Sequence, residues 1–363
     1  MNGLLPEGFH DRLPPHADAA AALEGHVLDV ARLYGYEQVD PPLAEFEDSL
    51  GQRLKAGSAK DAVRFTDPVS RRTLAIRPDI TAQVGRIATT RMAHHPRPVR
   101  LSYAGQVLKL RASELRPERA MRQIGCELIG RDSVAAVREI VTVAVEALEA
   151  AGVPGLALDF TLPDLVEQLA PDMPTERLEA LRQRLDAKDA AGVAAIDPAF
   201  IPLIEAAGPF DAAIDRLRTH DRAGVLASRL DGLAAVAQAV AGRVSLTLDP
   251  TERHGFEYQS WIGFSLFAQG VRGEIGRGGS YSVIGASGEE PAVGFSLFAD
   301  PILDANLARA ERRRLFLPLG TDAQAAADLR AQGWVAVAAL DADDSAAAQL
   351  CTHELRGGTP VEL

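Results

Sequence analysis

Hydrophobic and polar positions alternate most regularly between Val99 and Gly130. Val99–Leu108 is rich in β-branched and apolar residues and contains Tyr103, and Arg122–Ile129 carries Gln123, Gly125 and Glu127 at every second position. A period of two predicts two strands, with the polar, charged stretch Ser113–Ala120 as the loop between them. It sets Gln123, Gly125 and Glu127 on one face and Ile124, Cys126 and Leu128 on the other. A Gln and a Glu flanking a Gly form a small polar floor that suits an ammonium or an imidazole, the Gly leaving room for ligand atoms. A hairpin with one solvated face has the same pattern.

The rest of the chain falls into recognisable segments. Residues 1–16 carry Pro6, Pro14 and Pro15 and predict an extended arm. Leu23, Val27 and Val30 recur at helical spacing, predicting a helix over Ala17–Leu33 closed by Tyr34-Gly35-Tyr36. A short strand is expected at Glu37–Pro42 and a hairpin within Val63–Ile76. Arg77-Pro78-Asp79-Ile80-Thr81 follows, where Asp79 and Thr81 either cap a helix running to about Met92 or offer oxygens to a ligand ammonium. Ser133–Ala151 predicts an amphipathic helix and Leu156–Thr161 a strand. From Leu162 to Val240 the chain turns Ala-, Leu- and Arg-rich, predicting an insertion of four or five short helices. Strands are expected at Val244–Leu248 and Ser260–Ala268, a strand or helix at Ala292–Phe298, and a helix at Leu303–Ala310. Gly276–Tyr281 is glycine-rich but lacks the spacing and Lys ending of a P-loop; it admits a ligand close to the backbone, or makes a tight turn. After Arg312–Arg314, strands at Leu315–Leu319, Trp334–Leu340 and Thr359–Leu363 alternate with helices at Asp322–Gln332 and Ser345–Leu350, predicting a small parallel-sheet domain.

Composition narrows the classes. The 363 residues suit two or three domains, and 47% hydrophobic with 24% charged residues is an ordinary globular balance. A net charge of −12 argues against a surface devoted to nucleic acid or anionic membrane. Arg97–Arg131 is the local exception, with eight basic and three acidic residues. It would attract a phosphate-bearing ligand or an acidic partner, although a solvated basic loop has the same composition. Two cysteines, Cys126 and Cys351, make no disulfide framework and no zinc motif, and His94-His95 has no third ligand nearby. No metal or cofactor is expected. The first residues lack the basic and apolar regions of a signal peptide, and no apolar run reaches the ~18–20 residues of a membrane span. The expected location is the cytoplasm.

The motifs RPDIT, RLSYAG, QIGCE, HGFEY, GRGGSY and PAVGF, in that order, resemble the catalytic domain of histidyl-tRNA synthetase over about residues 3–310. The resemblance implies an α+β, class II synthetase-like fold. An antiparallel sheet with flanking helices would be formed by residues 1–161 and 243–310, with a helical insertion at 162–242 and a small C-terminal α/β domain at 315–363. It also implies a histidine pocket. Asp79, where the family has Glu, would hold the α-amino group with Thr81 and Gln123, and Glu127 would accept from the imidazole N–H. Tyr281 matches a pocket tyrosine. Tyr258 lies beside the ring-binding tyrosine position, which is Gln259 here, and His254 stands where the family places an arginine near the carboxylate, with Arg253 adjacent.

The positions for ATP chemistry depart from the family. The motif 2 arginine is Lys109, the acidic residue two further on is Arg111, and the motif 3 arginine falls on Pro301. Lys cannot grip an oxyanion bidentately and Pro carries no charge, so aminoacylation chemistry is expected to be lost. The C-terminal segment is also shorter than the family's anticodon-binding domain, and no tRNA is expected as partner. A synthetase fold with the amino-acid pocket but without these functions resembles the regulatory subunits of ATP phosphoribosyltransferase, the first enzyme of histidine biosynthesis. That resemblance implies a non-catalytic subunit that activates a short-form catalytic subunit and confers inhibition by histidine. It further implies a homodimer within a hetero-oligomer. Lys109, Arg111, Arg116 and Arg119 would then face the partner or its phosphorylated ligands. A divergent histidyl-tRNA synthetase and a stand-alone histidine sensor are the alternatives.

Overall fold

The computed structural model describes residues 4–51, 62–111, 118–253, 259–285, 288–305 and 313–363. The chain forms two compact units, Met1–Ala308 and Arg309–Leu363.

The first unit is built on a nine-stranded sheet. Its strands are β1 (Glu37–Gln38), β5 (Val99–Leu108), β6 (Ala120–Ile129), β7 (Leu156–Thr161), β8 (Gly208–Pro209), β9 (Ser245–Leu248), β10 (Gln259–Ala268), β11 (Gly276–Gly285) and β12 (Gly288–Phe298). A second, three-stranded sheet is formed by β2 (Ala44–Phe46), which runs into the short helix α2 (Glu47–Gly51), with β3 (Val63–Thr66) and β4 (Thr73–Ile76). The spatial order of the large sheet is β1-β5-β6-β12-β11-β10-β7-β9-β8. The five long strands pair antiparallel, while β1 with β5 and β7 with β9 pair parallel. This is the antiparallel sheet with flanking helices that the motifs imply.

The alternation read from the sequence becomes the two faces of this sheet. Ile124, Cys126, Leu128, Phe295, Leu297, Phe264 and Leu266 turn to one side and are fully buried there. Helices α1 (His16–Leu33), α4 (Val134–Ala150) and α10 (Ala227–Val240) cover them. α1 contributes Leu23, Val27 and Ala31, and α4 buries Val137, Ile140, Val141 and Ala144. Ser133 opens α4 by accepting the Ala136 N–H, and Gly35, at φ 83°, turns the chain out of α1. Helix α3 (Thr81–Thr90) lies on the opposite face, where Ile80, Val84, Tyr103, Tyr281 and Val283 form a second, smaller core.

Several expectations change. Residues 162–242 hold six α-helices rather than four or five, from α5 (Leu165–Leu169) through α6 (Thr175–Asp186), α7 (Ala190–Ile196), α8 (Ile201–Glu205) and α9 (Phe210–His220) to α10. Gly276–Tyr281 is no turn: it is the start of β11, hydrogen-bonded on both sides. Ala292–Phe298 is strand, followed by α11 (Ala299–Asp304).

The second unit has its own four-stranded sheet, ordered β14-β13-β15-β16. Here β13 (Arg314–Leu317) pairs parallel with β14 (Val335–Ala338) and with β15 (His353–Arg356), and β15 pairs antiparallel with β16 (Thr359–Glu362). α12 (Ala323–Ala331) is capped by Asp322. The sheet is therefore mixed rather than wholly parallel, and β15 is an unpredicted strand. Ser345–Leu350 forms turns instead of a helix. Asp344 accepts the N–H groups of Leu340 and Asp341, and Leu350 adopts φ 53°. Such local bonds compete with a helix too short to offset its nucleation cost. Among the described residues no helix is long and apolar enough to cross a membrane.

Candidate functional site

The polar face of β6 carries Gln123, Gly125 and Glu127 beneath the start of α3. Register places Tyr103 of β5 opposite Gly125, and Ser296 and Gly294 of β12 opposite Gly125 and Glu127. The two glycines are required by close approach. A Cβ on Gly125 would strike the Tyr103 hydroxyl, and one on Gly294 would strike the Glu127 carboxylate. The floor is thus shaped by side chains lying across glycine positions of the neighbouring strands.

Glu127 is 1% exposed. Its carboxylate accepts the Tyr281 hydroxyl at 2.6 Å on one oxygen and the Tyr103 hydroxyl at 3.1 Å on the other. Burial pushes the Glu127 carboxyl up to about 8, against the lowering effect of the Tyr281, Thr81 and Tyr103 hydroxyls, and the nearby Asp79 charge adds to the rise. Burial likewise pushes the Tyr103 hydroxyl well above its ordinary range. Tyr103, 0% exposed, lies 2.9 Å from the Ser296 hydroxyl and 3.3 Å from that of Thr81.

Gln123 is tied into the floor through both ends of its amide. Its amide oxygen accepts the Ile80 N–H at 3.0 Å. Its NH2 group donates to Asp79 at 2.8 Å and to Ser296 at 2.8 Å. Gln123 therefore holds Asp79 in place, and its amide oxygen keeps a second lone pair beyond the Ile80 bond. Asp79 also accepts the Thr81 N–H at 2.8 Å, which orders the first turn of α3. Arg77, 4% exposed, anchors this turn from below. It donates to the carbonyls of Gln106 at 2.8 Å and Pro41 at 2.7 Å and to Gln83 at 3.3 Å.

Thr81, Glu127, Tyr281 and Ser296 line a small pocket together with Gln259, Arg277 and Phe295. Gln259 donates to the Gly278 carbonyl at 2.9 Å, while its buried Oε1 has no partner among the described residues. An orphaned buried acceptor in a pocket wall is costly unless a ligand donor meets it. Of the expected histidine-pocket residues, Asp79, Thr81, Gln123, Glu127 and Tyr281 are brought together; His254 and Tyr258 lie outside the described residues. Arg253 does not turn to the pocket. It pairs with Glu179 at 3.2 Å, and its N–H donates to Asp186 at 2.7 Å. Sequence reasoning did not select Tyr103, Ser296, Arg277 or Gln259 for the site, although Tyr103 sits in the RLSYAG motif and Ser296 just after PAVGF.

Of the positions expected to face phosphates, Lys109 and Arg119 lie side by side at the open end of the β5–β6 pair. Lys109 continues β5 by an isolated bridge to Ala62 and donates its N–H to the Arg119 carbonyl at 2.8 Å. Arg119 packs over the Phe9 ring and donates to the Lys109 carbonyl at 3.2 Å, and Arg111 is exposed. Arg116 lies outside the described residues. Beside Pro301, Asp300 is buried, pairs with Arg12 and accepts the Arg122 N–H at 2.9 Å. Among the described residues no group of three His, Cys, Asp or Glu side chains is arranged to hold a metal.

The fold and the pocket place the chain in a defined class: residues 8–302 match the family model of histidyl-tRNA synthetase. Within that class the chain belongs to the family of ATP phosphoribosyltransferase regulatory subunits. It is 42% identical to the ATP phosphoribosyltransferase regulatory subunit of Paramagnetospirillum magneticum, over 99% of this chain and 98% of that one. Among solved structures it is similar to an ATP phosphoribosyltransferase regulatory subunit/histidyl-tRNA synthetase from Bacillus halodurans. The TM-score is 0.79 at 21% identity, covering 96% of each chain. It is also similar to a chain of an ATP phosphoribosyl transferase complex from Thermotoga maritima, with a TM-score of 0.60 at 19% identity, covering 79% of this chain and 98% of that one.

Proposed function

We propose that this chain activates a short-form ATP phosphoribosyltransferase catalytic subunit and makes it sensitive to histidine, which binds in the pocket over β6. The partner is supported by the name carried by relatives along the whole chain and by the complex to which the Thermotoga maritima neighbour belongs. The effector is supported by one observation above the others: a buried Glu127 held by two tyrosine hydroxyls in the wall of a small polar pocket. A carboxyl with acceptor capacity left over and the unpartnered Gln259 Oε1 line the same pocket, two acceptors that suit the two N–H groups of an imidazolium ring. Asp79 and Thr81, ordered by Gln123, supply the oxygens for the α-ammonium. Coupling then requires only that histidine bind one state of the assembly better than another.

The same reading takes the chain as non-catalytic. Aminoacyl-adenylate formation needs cations on the phosphates as charge develops, and loss of one such group typically costs ~3–4 kcal/mol. Lys109 replaces one arginine and Pro301 another, and a buried carboxylate, Asp300, stands next to Pro301. The oligomer is proposed as a homodimer within a hetero-oligomer, acting in the cytoplasm.

The test is phosphoribosyl-ATP formation by a short catalytic subunit from the same source, with and without this protein, and with histidine titrated in. Activity that needs both proteins and falls with histidine is the expected result. Histidine-dependent exchange of pyrophosphate into ATP by this chain alone would restore the synthetase reading.

A further inference from the structure

We infer that Tyr103 is a positioning residue that joins the two ends of the pocket, so that the ring and the α-ammonium of the ligand are read together. The inference rests on the proposed histidine pocket and deepens it. Tyr103 does not line the pocket. It lies beneath it, 0% exposed, and acts through Glu127. Register explains how one hydroxyl meets both ends. Tyr103 of β5 is level with Gly125 of β6, and Gly125 is level with Ser296 of β12. With no Cβ on Gly125 in the way, the Tyr103 side chain lies across β6 and its hydroxyl reaches Ser296 at 2.9 Å. The same oxygen is 3.1 Å from Glu127, at the ring end, and 3.3 Å from Thr81, at the ammonium end.

Counting hydrogens gives the chain its direction. A hydroxyl has one hydrogen to donate and two lone pairs to accept with, and an ionised carboxylate only accepts. Gln123 directs its NH2 group to Asp79 and to Ser296, each at 2.8 Å, and is farther from Tyr103 at 3.5 Å. Ser296, having accepted from Gln123, keeps its own hydrogen for Tyr103, and Tyr103 gives its hydrogen to Glu127. The donors thus run from Gln123 through Ser296 and Tyr103 to Glu127, starting at the residue that holds Asp79. Thr81 supplies a second route. An ammonium on Thr81 Oγ1 occupies a lone pair there and turns the Thr81 hydrogen toward Tyr103. Both routes end with Tyr103 donating to Glu127, and bonds in such a chain polarise one another. A filled ammonium end therefore favours the ionised carboxylate, the form that binds a ring N–H most strongly. Thr81 also bonds Glu127 directly, so loss of the Tyr103 hydroxyl should weaken the coupling without abolishing it.

The experiment is calorimetric titration of the full chain with L-histidine and with imidazolepropionate, which keeps the ring and the carboxylate and lacks the ammonium. The proteins are the wild type, Tyr103→Phe, Ser296→Ala and, as control, Tyr36→Phe, with thermal melts to show that each variant is folded. Tyr36→Phe makes the same chemical change elsewhere: it removes a buried tyrosine hydroxyl that donates to Glu139 at 3.0 Å in the helix-covered core. The wild type is expected to prefer histidine by about 100-fold, the scale of charge-assisted hydrogen bonds to the ammonium. In Tyr103→Phe histidine should lose about 30-fold and imidazolepropionate about threefold, so that the preference falls to about tenfold, a coupling of the size found within one hydrogen-bond network. Ser296→Ala cuts the Gln123 route alone and should lower the preference about threefold; it carries the test if Tyr103→Phe does not fold. Tyr36→Phe should leave the preference unchanged. Equal weakening of both ligands in folded Tyr103→Phe, or in Ser296→Ala where the first variant does not fold, overturns the inference, because a merely supporting side chain costs both ligands alike. A wild type that binds the two ligands equally overturns it as well, as does a preference that falls in Tyr36→Phe. If the wild type binds neither ligand, the histidine reading of the pocket itself fails, a result distinct from a folded Tyr103→Phe variant that keeps the wild-type preference.

Discussion

The two faces of one set of strands divide the work of this molecule. On β6 and β12 successive residues point opposite ways: Cys126 and Phe295 enter the helix-covered core, while Glu127 and Ser296 enter the pocket. The covered face is apolar, closely packed and served by α1, α4 and α10. The other face is a floor of hydroxyls, an amide and carboxylates whose partners are mostly one another. Apolar burial is nondirectional and stabilises in proportion to area. The polar face is directional: each group there is fixed by a named partner, as Gln123 is by Ile80, Asp79 and Ser296. Substitutions on the first face should therefore change stability, and substitutions on the second should change binding.

The largest expected effect is on the covered face. Phe295, 1% exposed, is one of the largest fully buried side chains. Phe295→Ala should cost about 3–5 kcal/mol of stability, read as a shifted midpoint in chemical denaturation. Phe295 also lines the pocket, so Ile124→Ala, which does not, is the companion variant. It should cost about 2–5 kcal/mol, with histidine affinity changed less than about threefold wherever the protein is folded. A tenfold loss of affinity in folded Ile124→Ala would mean that the faces are not separable.

Next is Glu127→Gln on the polar face, which keeps shape and removes the ionisable carboxyl. Histidine affinity should fall about 10- to 100-fold, because a ring N–H or imidazolium bound there favours the ionised carboxylate and makes a hydrogen bond to a charged group worth about 1.5–3 kcal/mol. Calorimetry checks this, and unchanged affinity would remove Glu127 from the pocket. Stability should respond in the opposite sense, and with pH. The folded-state carboxyl is raised to about 8, so in the unliganded protein Glu127 stays protonated where the unfolded chain has released its proton. Its contribution is fully present below the ordinary carboxylate range and is lost as pH rises through about 8. Between those limits wild-type stability should decline relative to Glu127→Gln, by up to about 1.4 kcal/mol per pH unit. Melting curves of both proteins from pH 5 to pH 9 measure it, and parallel curves would contradict it.

The sequence reveals the covered face and half of the polar one. Alternation separates Gln123 and Glu127 from Ile124, Cys126 and Leu128 because both sets lie on one strand, where period two needs no knowledge of neighbours. Ser296 and Arg277 reach the same pocket, and Tyr103 reaches Glu127 in its wall, from three other strands, and only pairing registers between distant segments bring them there. Gly276–Tyr281 illustrates the limit. Its glycines suit either a turn or close approach, and tertiary pairing with β10 and β12 decides for a strand. Gln123 is the subtler case. Alternation puts it on the polar face, but only the tertiary fold shows that Ile80, four residues past the end of β4, donates to its oxygen. In the second unit local turn chemistry around Asp344 prevails over an alanine-rich helical pattern.

The smallest expected effect sharpens the comparison most. Ser296 follows Phe295 in the chain, and its hydroxyl accepts from Gln123 and meets Tyr103 at 2.9 Å. Ser296→Ala removes one acceptor from Gln123 and one partner from Tyr103. Both keep others: Gln123 still donates to Asp79, and Tyr103 still donates to Glu127. The stability cost should therefore be about 1 kcal/mol, the value of one ordinary hydrogen bond, well below that of Phe295→Ala one residue away. Histidine affinity should fall about threefold to tenfold because Asp79 and Glu127 are both positioned through this hydroxyl's partners. Pairing Ser296→Ala with Glu127→Gln in a double-mutant cycle then tests whether the floor acts as one network. Coupling above about 0.5 kcal/mol is expected for groups sharing Tyr103, whereas additive losses would mean that Ser296 supports only the Gln123 and Asp79 side.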